Sequence, residues 1–212
     1  MTMSRLRSKT VETQLTSADN KRIQKGIREK YNQVAVNPAG LFSYPTGRDG
    51  LKALGYDPGL LKDLPDAVAA SYCGVGNPFS LGTVKKGASV LDIGCGAGVD
   101  TILAARMVGP NGRAVGIDLV SEMLERGKNN LGMTDLKNVS FIEGSANKLD
   151  FPGESFDVVV SNGVFNLIPD KEAAIAEAFR LLKPGGRFMI ADQVLVGELQ
   201  KDLKTRIDTW FQ

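Results

Sequence analysis

One glycine-rich stretch, residues 88–118, constrains this chain more than any other. It begins with the apolar run V-L-D-I, which is short, bounded by glycines and typical of a buried strand. Gly94, Gly96 and Gly98 follow at alternate positions, and a helix is expected to begin near Val99. Glycine adopts backbone conformations closed to other residues and lets a ligand lie against bare backbone at a helix N-terminus. The stretch therefore predicts a strand, a ligand-binding turn and a helix.

An acidic residue indicates what kind of ligand this turn holds. Residues 114–117 predict a second strand, which ends in Asp118. A carboxylate about twenty residues beyond such a glycine turn can accept hydrogen bonds from both hydroxyls of a ribose. The strand, the turn, the helix and Asp118 together predict a nucleoside-binding βαβ unit.

The glycine spacing distinguishes between nucleosides. The dinucleotide pattern G-x-G-x-x-G/A fails here, because its third position falls on Val99 or on Thr101. The pattern present is D-x-G-x-G-x-G, led by Asp92. A pyrophosphate favours the amides of a helix N-terminus, whereas a ligand with an ammonium group makes an acidic residue beside the glycines useful. The pattern resembles motif I of the class I S-adenosylmethionine (SAM) methyltransferases.

The composition narrows the class of protein. A chain of 212 residues with 42% hydrophobic residues and a mean hydropathy of −0.09 is typical of one soluble α/β domain. No apolar run approaches the roughly 18–20 residues that cross a bilayer. The charged N-terminus lacks the apolar segment of a signal peptide. We therefore expect a cytoplasmic protein without a membrane partner.

The available side chains limit the chemistry. The chain has no histidine, so it lacks the commonest general base and every Ser-His-Asp arrangement. Its two cysteines, Cys73 and Cys95, cannot form a four-ligand zinc site, and we expect both to be reduced thiols and no bound metal. Catalysis would have to use positioning, backbone groups, carboxylates or a thiolate.

The N-terminal part differs in charge from the rest. Residues 1–31 contain eight basic and three acidic residues, but a solvated helix explains this better than a nucleic-acid partner. Residues 18–33, capped by Ser17, predict an amphipathic helix with Ile23, Ile27 and Tyr31 on one stripe. Residues 41–48 form an aromatic loop that would serve either as a substrate lid or as a hydrophobic clasp.

The remaining pattern alternates helices and strands, which predicts an α/β fold with a Rossmann-like, doubly wound parallel sheet. One of the helices, residues 170–182, is expected to place Ile175, Phe179 and Leu182 on its core face. The other predicted elements are helices at 49–54, 58–70, 121–130 (capped by Ser121) and 199–210, and strands at 139–142, 156–160 and 187–194.

Longer motifs make the resemblance more specific. V-L-D-I-G-C-G-A-G, G-I-D, E-M-L and R-L-L-K-P-G-G-R resemble the class I methyltransferase fold. The segment S-N-x-V-x-N-L-x-P-D-K, with G-x-G-N-P upstream, is similar to the arsenite methyltransferase family over roughly residues 70–212. The resemblance implies SAM as the cofactor, a helical arm and cap over residues 1–70, and a SAM-binding methyltransferase domain over residues 71–212.

The resemblance also implies which residues form the site. Those expected at the methionine part of SAM are Asp92, Gly94, Gly96 and Gly98. Asp118 would bind the ribose and Leu119 would flank the adenine, with Ser145 and Ala146 at its edge; many relatives have Asp where Ser145 stands. Tyr72 and Gly74 would approach SAM from above. The residues expected near the transferring methyl group are Tyr72, Cys73, Asn162 and Asn166, of which Asn162 would also contact the cofactor.

Two family cysteines are replaced. The family binds trivalent arsenic through cysteine thiolates, which suit this soft centre. Here Val75 and Gly163 stand at two of the cysteine positions, and Cys73 lies two places before Val75. One thiol cannot clamp arsenic, and we assign no chemistry to Cys95.

The C-terminal end also departs from the pattern. The resembled fold has seven strands, the last two antiparallel, whereas five are predicted here, so the domain is expected to be incomplete. An uncovered fifth strand would be prone to aggregate. We consider a recoded UGA codon for selenocysteine after Gln212, a truncation, or a chosen chain boundary as explanations.

The predicted function is SAM-dependent methyl transfer to a small, soft acceptor of the arsenite, thiol or selenol kind. Positioning supplies much of the acceleration of such a transfer, so the lack of histidine is no objection. The alternatives are a carbon- or oxygen-methyltransferase of quinones or lipids, and a SAM-binding fragment without catalysis. Nucleic-acid methylation is disfavoured, because no N/D-P-P-Y/F motif follows the fourth strand. The oligomeric state stays open.

Overall fold

A computed structural model describes residues 15–194, 196, 207 and 210 of the chain. The helices are α1 Ser17–Val36, α2 Gly47–Ala53, α3 Pro58–Lys62, α4 Asp66–Ala69, α5 Val99–Val108, α6 Ser121–Gly132 and α7 Lys171–Leu181. The strands are β1 Ser89–Ile93, β2 Arg113–Asp118, β3 Val139–Glu143, β4 Phe156–Asn162 and β5 Leu182–Ala191. A 3-10 turn covers Pro78–Leu81.

The five described strands form one parallel sheet in the order β3-β2-β1-β4-β5. The chain winds outward from β1 in one direction and from β4 in the other, so the strand order reverses between these two strands. In open parallel sheets the ligand crevice lies outside the carboxyl ends of the strands at such a reversal. Gly94 follows β1 and Gly163 follows β4, which places both at this crevice.

Helices cover both faces of the sheet, which confirms the predicted α/β, Rossmann-like, doubly wound fold. Alternate residues of one strand point to opposite faces. Val90 of β1 packs in a cluster with Ala104 of α5, whereas its neighbour Leu91 packs in a cluster with Ala178 of α7. The central strands β1, β2 and β4 are buried on both faces, as is usual for parallel sheets, and this explains their continuous apolar runs, whereas the edge strands β3 and β5 are partly exposed.

Helix α7 presents a different face to the core from the one predicted. Ala174, Ala178 and Leu181 are fully buried, whereas Ile175 is 49% exposed and Phe179 is 77% exposed. The prediction was wrong because both sets recur at helical spacing, one residue apart, and hydrophobicity alone favoured the larger side chains. Alanine on the buried face allows the helix to approach the sheet closely. Leu182, the third residue predicted for the core face, begins β5 instead.

Several element boundaries also differ from the prediction. Thr16, not Ser17, caps α1, through a capping box with Asp19. The side chain of Ser121 makes no capping bond to α6 and instead donates to Glu122. The single helix expected over residues 58–70 is two short helices, because Pro65 starts the second. Strand β5 starts five residues before the predicted 187, and the predicted helix 199–210 lies largely outside the described residues.

The segment between α1 and β1 packs on the sheet through α5. Leu51, Leu61 and Val68 lie in one cluster with Ile102 and Leu103. This cluster contains α2, α3 and α4 as well as α5, so these helices share a core with the parallel sheet. The division at residue 70 into an arm and a domain stays a prediction.

Candidate active site

A cavity lies at the carboxyl ends of β1, β2 and β4, where the reversal of strand order predicts a ligand site. Eleven of the thirteen residues predicted for the site line it: Tyr72, Cys73, Gly74, Asp92, Gly94, Gly96, Asp118, Leu119, Ser145, Ala146 and Asn162. Gly98 and Asn166 do not. Most of the residues predicted from the motifs therefore lie on this wall.

The glycine turn is held in a shape that other residues would resist. Gly94 has a φ of +71°, and a Cβ atom built on it would lie 2.3 Å from a methyl carbon of Val164. Gly98 has a φ of +78° and starts α5, and its own Cβ would meet the ring of Phe141. Gly98 thus lies behind the turn, against Phe141, rather than on the cavity wall.

Asp118 joins the end of β2 to the glycine turn. Its two carboxylate oxygens accept hydrogen bonds from the backbone N–H of Gly96 at 2.8 Å and of Val120 at 2.9 Å. Burial raises the pKa of Asp118, and these backbone bonds act in the opposite direction. Each carboxylate oxygen has two lone pairs, so the side chain can still accept ribose hydroxyls.

Two further carboxylates line the same cavity. Asp92 is 2% exposed and accepts a hydrogen bond from the hydroxyl of Thr101 at 2.6 Å. Burial, together with the nearby charge of Asp100, raises the pKa of Asp92 to about 8. Asp100 is 7% exposed, and burial raises its pKa to about 6. Sequence reasoning missed Asp100, although an acidic residue in the first turn after the glycines was a visible signal.

The cavity suits a cationic nucleoside ligand. Three carboxylates line it, and none of the described lining residues is Lys or Arg. Burying carboxylates without positive partners is unfavourable, which is why their pKa values are raised. A ligand with an ammonium or a sulfonium group would offset this cost, whereas a pyrophosphate would increase it.

Asn162, at the end of β4, holds the loop before β1. Its amide oxygen accepts hydrogen bonds from the backbone N–H of Val75 at 2.9 Å and of Gly76 at 3.1 Å. Tyr72 donates from its hydroxyl to the carbonyl of Gly76 at 2.8 Å. Gly74 passes so close to Asn162 that a Cβ atom there would lie 2.3 Å from the amide nitrogen. The loop is therefore fastened over the cavity from β4.

The two positions at which the resembled family has cysteine meet in space. A Cβ atom built on Gly163 would lie 3.2 Å from a methyl carbon of Val75. Two side chains at these positions would touch, which is the arrangement that a pair of thiolates needs to hold one arsenic atom. In this chain an aliphatic side chain lies against bare backbone instead.

Cys73 is the thiol on this part of the wall. It is half-buried, and its carbonyl accepts a hydrogen bond from the hydroxyl of Tyr44 at 3.0 Å. Burial, with the charges of Asp118 and Asp100, raises the pKa of the thiol to about 12. Cys73 is therefore a protonated, weakly polar wall group at neutral pH. Cys95 is buried, and burial raises the pKa of its thiol as well.

Helix α1 closes the cavity from the side opposite the sheet. Gln24, Ile27 and Tyr31 line the cavity, so two of the three residues of the predicted stripe face the ligand space. Ile23 is fully buried. The aromatic loop does not line the cavity; its Phe42 packs near α1, and Tyr44 binds the Cys73 carbonyl. These contacts favour the hydrophobic clasp over the substrate lid.

The other end of the cavity carries the groups predicted to meet the adenine. Leu119, Ser145 and Ala146 line it. The hydroxyl of Ser145 lies 3.4 Å from the amide oxygen of Asn147. Asn166 is not on the wall: its backbone N–H donates to Asp192, and its buried side-chain oxygen has no hydrogen-bond partner among the described residues.

Comparison with known proteins decides the family. A model of the methyltransferase domain matches residues 84–211. The chain belongs to this methyltransferase family. Its fold and sequence are those of a class I SAM methyltransferase, a family whose methyl donor is SAM. The described residues include no helix that is long and apolar enough to span a bilayer. Nor do they include a group of three or more metal-binding side chains.

The relatives of this chain include arsenite methyltransferases and demethylmenaquinone methyltransferases. Arsenite methyltransferase of Halobacterium salinarum is 32% identical over 212 residues, which cover 93% of this chain and 54% of the relative. Demethylmenaquinone methyltransferase of Listeria welshimeri is 38% identical over 109 residues, 51% of this chain and 46% of the relative. The chain thus spans about half the length of the curated relatives it matches.

A solved structure shows the same fold. The arsenic (III) S-adenosylmethionine methyltransferase from Chlamydomonas reinhardtii is 36% identical and superposes with a TM-score of 0.58. The match covers 63% of this chain and 47% of that one.

Proposed function

We propose that this methyltransferase methylates a small, soft acceptor that binds between Cys73, Val75 and Gly163. The observation that carries the proposal is the character of this part of the cavity: Cys73 and Gly163 line it with a thiol and bare backbone, Val75 lies against Gly163, and none of the described lining residues is Lys or Arg. Such a wall suits a weakly hydrated, polarisable acceptor. The arsenite and demethylmenaquinone methyltransferases among the relatives support an acceptor that is a small molecule.

The proposal limits the acceptor to one that needs no base. SAM supplies an electrophilic methyl group, and transfer requires a lone pair aligned with it. On the acceptor side the thiol of Cys73 is protonated, because its pKa is raised to about 12. Asp92 and Asp118 accept hydrogen bonds from Thr101 and from backbone N–H groups. An acceptor that is already nucleophilic at neutral pH, such as trivalent arsenic or an ionised selenol, meets this requirement.

The residues of this chain would contribute binding, orientation and exclusion of water. Asp118 would orient the ribose, and the carboxylates of Asp92 and Asp100 would offset the positive charge of SAM. The loop held by Asn162 covers the cavity, so the reacting groups would be shielded from bulk water.

A quinol acceptor is the second candidate. The contact between Val75 and Gly163 is apolar, and the ring of Tyr31 lines the cavity. Both would suit a flat aromatic acceptor, and the demethylmenaquinone relatives act on one by name. Against it, a quinol must lose a proton, and among Cys73, Val75 and Gly163 none can take it at neutral pH, because the thiol of Cys73 is already protonated.

Turnover of a matched acceptor panel tests the proposal. The chain is incubated with SAM labelled in its methyl group and with arsenite plus glutathione, selenocysteine, cysteine or a demethylated naphthoquinol. We expect label in the arsenic or selenium product at a rate at least tenfold above that in the quinol. Label only in the quinol would contradict the proposal, and SAM binding without turnover of any acceptor would favour the non-catalytic fragment.

The variant Cys73→Ser tests whether the thiol on the cavity wall contributes to turnover of the acceptor. Cys73→Ser removes the soft group with little change in size. We expect the turnover of the arsenic or selenium acceptor to fall at least tenfold and SAM affinity to change less than threefold. Equal turnover by Cys73→Ser and the unchanged chain would separate the acceptor from this thiol.

A further inference from the structure

Asp100 lies at the centre of a buried hydrogen-bond network that sequence motifs do not reveal. One of its oxygens accepts from the hydroxyl of Tyr56 at 2.7 Å, and the other accepts from the amide nitrogen of Asn162 at 2.9 Å. Asp100 comes from the first turn of α5 and Asn162 from the end of β4. The pair joins elements that are 62 residues apart in the chain.

Every hydrogen-bonding capacity of the Asn162 amide is used. Its amide nitrogen donates to Asp100 and to the carbonyl of Gly76, the latter at 2.8 Å, and also lies 3.2 Å from the hydroxyls of Tyr56 and Tyr72. Its oxygen accepts from the backbone N–H of Val75 and of Gly76. An amide with all its bonds made has one favoured orientation, since a flip would set donors against donors. Asp100 fixes which edge of the amide faces the loop.

The loop that Asn162 holds also carries Cys73 and Gly74, which line the cavity where the acceptor would bind. Val75 contacts the position of Gly163, and Gly76 packs so closely on β5 that a Cβ atom there would lie 2.6 Å from the Cβ of Ala191. A continuous series of contacts therefore runs from Asp100, on the cofactor side of the cavity, to Val75 on the acceptor side.

We propose that Asp100 is a positioning residue that sets the acceptor wall through Asn162, and so fixes the distance between the bound cofactor and the acceptor. The inference rests on the proposed function, because it gives a role to the wall formed by Val75. A carboxylate accepts at both oxygens and carries a charge that strengthens both bonds. An asparagine at position 100 would turn an N–H group toward Tyr56 or Asn162, and the bond that Asn162 makes to position 100 would lose its negative charge or be lost.

Amide hydrogen exchange tests the positioning step without any acceptor. Exchange of the Val75 and Gly76 amides is followed by NMR in the absence of SAM, with the amide of Val159 in the central strand β4 as the internal reference. We expect Asp100→Asn to speed exchange at Val75 and Gly76 at least tenfold relative to Val159. A merely structural loss would speed all three together, and unchanged exchange at the loop would overturn the inference.

Asp118→Asn is the matched control, since it neutralises another buried carboxylate of the same cavity. Asp118 bonds the glycine turn and not the loop, so we expect exchange at Val75 and Gly76 to stay within twofold of the unchanged chain. Equal acceleration by both variants would mean that lost cavity charge, rather than the bond to Asn162, loosens the loop.

A double-mutant cycle tests the consequence for chemistry. Single-turnover methyl transfer is measured at saturating SAM with arsenite and glutathione as the acceptor. We expect Asp100→Asn and Asn162→Ala each to lower the rate at least tenfold. The double variant should lie within twofold of the slower single variant, because Asp100 acts through Asn162. Losses that multiply would assign the two residues independent roles.

If Asp100→Asn does not fold, Tyr56→Phe removes one of the two bonds to Asp100, and an increase in loop exchange of about threefold is expected. No increase with Tyr56→Phe would then overturn the inference. If the unchanged chain turns over no acceptor, the proposed function fails, whereas amide exchange still decides the role of Asp100.

Discussion

Substitution of Gly94 by alanine measures how tightly the cofactor turn is packed. The left-handed backbone of Gly94, with a φ of +71°, costs a non-glycine residue about 1 kcal/mol. The added Cβ would lie 2.3 Å from one methyl carbon of Val164 and 2.6 Å from the other. Relieving such an overlap costs about 1–3 kcal/mol. We therefore expect Gly94→Ala to lower the free energy of unfolding by roughly 2–4 kcal/mol.

Urea unfolding monitored by circular dichroism measures this change, with Gly87→Ala as the control. Gly87 has a φ of +79° but no heavy atom within 4 Å of its built Cβ, so it reports the backbone cost alone, about 1 kcal/mol. Equal destabilisation by both variants, within about 0.5 kcal/mol, would refute the packing argument. The double variant Gly94→Ala/Val164→Ala should be less destabilised than the sum of the two single variants, because it removes the overlapping methyl groups.

The carboxylates of the cavity predict three further results, and the packing of α7 predicts a fourth. SAM should bind more tightly as the pH rises from about 5 to 9, because ionised Asp100 and Asp92 offset its positive charge, and neutral adenosine should show no such trend in calorimetric titration. Without SAM the sign is opposite: the raised pKa values, about 6 and about 8, mean that the folded chain holds more protons than the unfolded chain. Its stability should therefore fall as the pH rises from about 4 to 8, and a rise would contradict this assignment. Asp118→Ala removes a charged acceptor of two backbone N–H bonds. It should weaken SAM binding roughly ten- to a hundredfold in the same titration. Unchanged affinity would show that Asp118 does not hold the ribose. On α7, Ala178→Leu should lower the free energy of unfolding by about 1–3 kcal/mol, and Phe179→Ala should change it by less than about 0.5 kcal/mol. A larger loss of stability for Phe179→Ala in thermal unfolding would mean that Phe179, as first predicted, faces the core.

Most of the residues that the sequence predicted for the cofactor site line one cavity. Its parts lie on short segments whose local structure follows from residue type: the glycines after β1, Asp118 at the end of β2, and Asn162 at the end of β4. In a parallel sheet the carboxyl ends of neighbouring strands meet at one edge, so motifs at strand ends converge without further information. The family resemblance then supplied the identity of the ligand.

The acceptor side was less readable, because it depends on contacts between distant segments. Val75 and Gly163 are separated by 88 positions in the sequence, and only the fold shows that they touch. The sequence of α1 likewise predicts an amphipathic stripe. Whether that stripe covers a hydrophobic core or a ligand cavity depends on where the helix packs.

The sequence by itself determined the alternation of strands and helices, the glycine turn and its acidic neighbours, because these follow from periodicity, backbone freedom and local charge. The tertiary structure decided which face of α7 is buried, since two stripes of equal spacing competed and close approach to the sheet favoured alanine. It also decided the hydrogen-bond partners of Asp100. A carboxylate in the first turn of a helix has no assigned partner until packing brings Tyr56 and Asn162 within hydrogen-bonding distance and removes water from the pair.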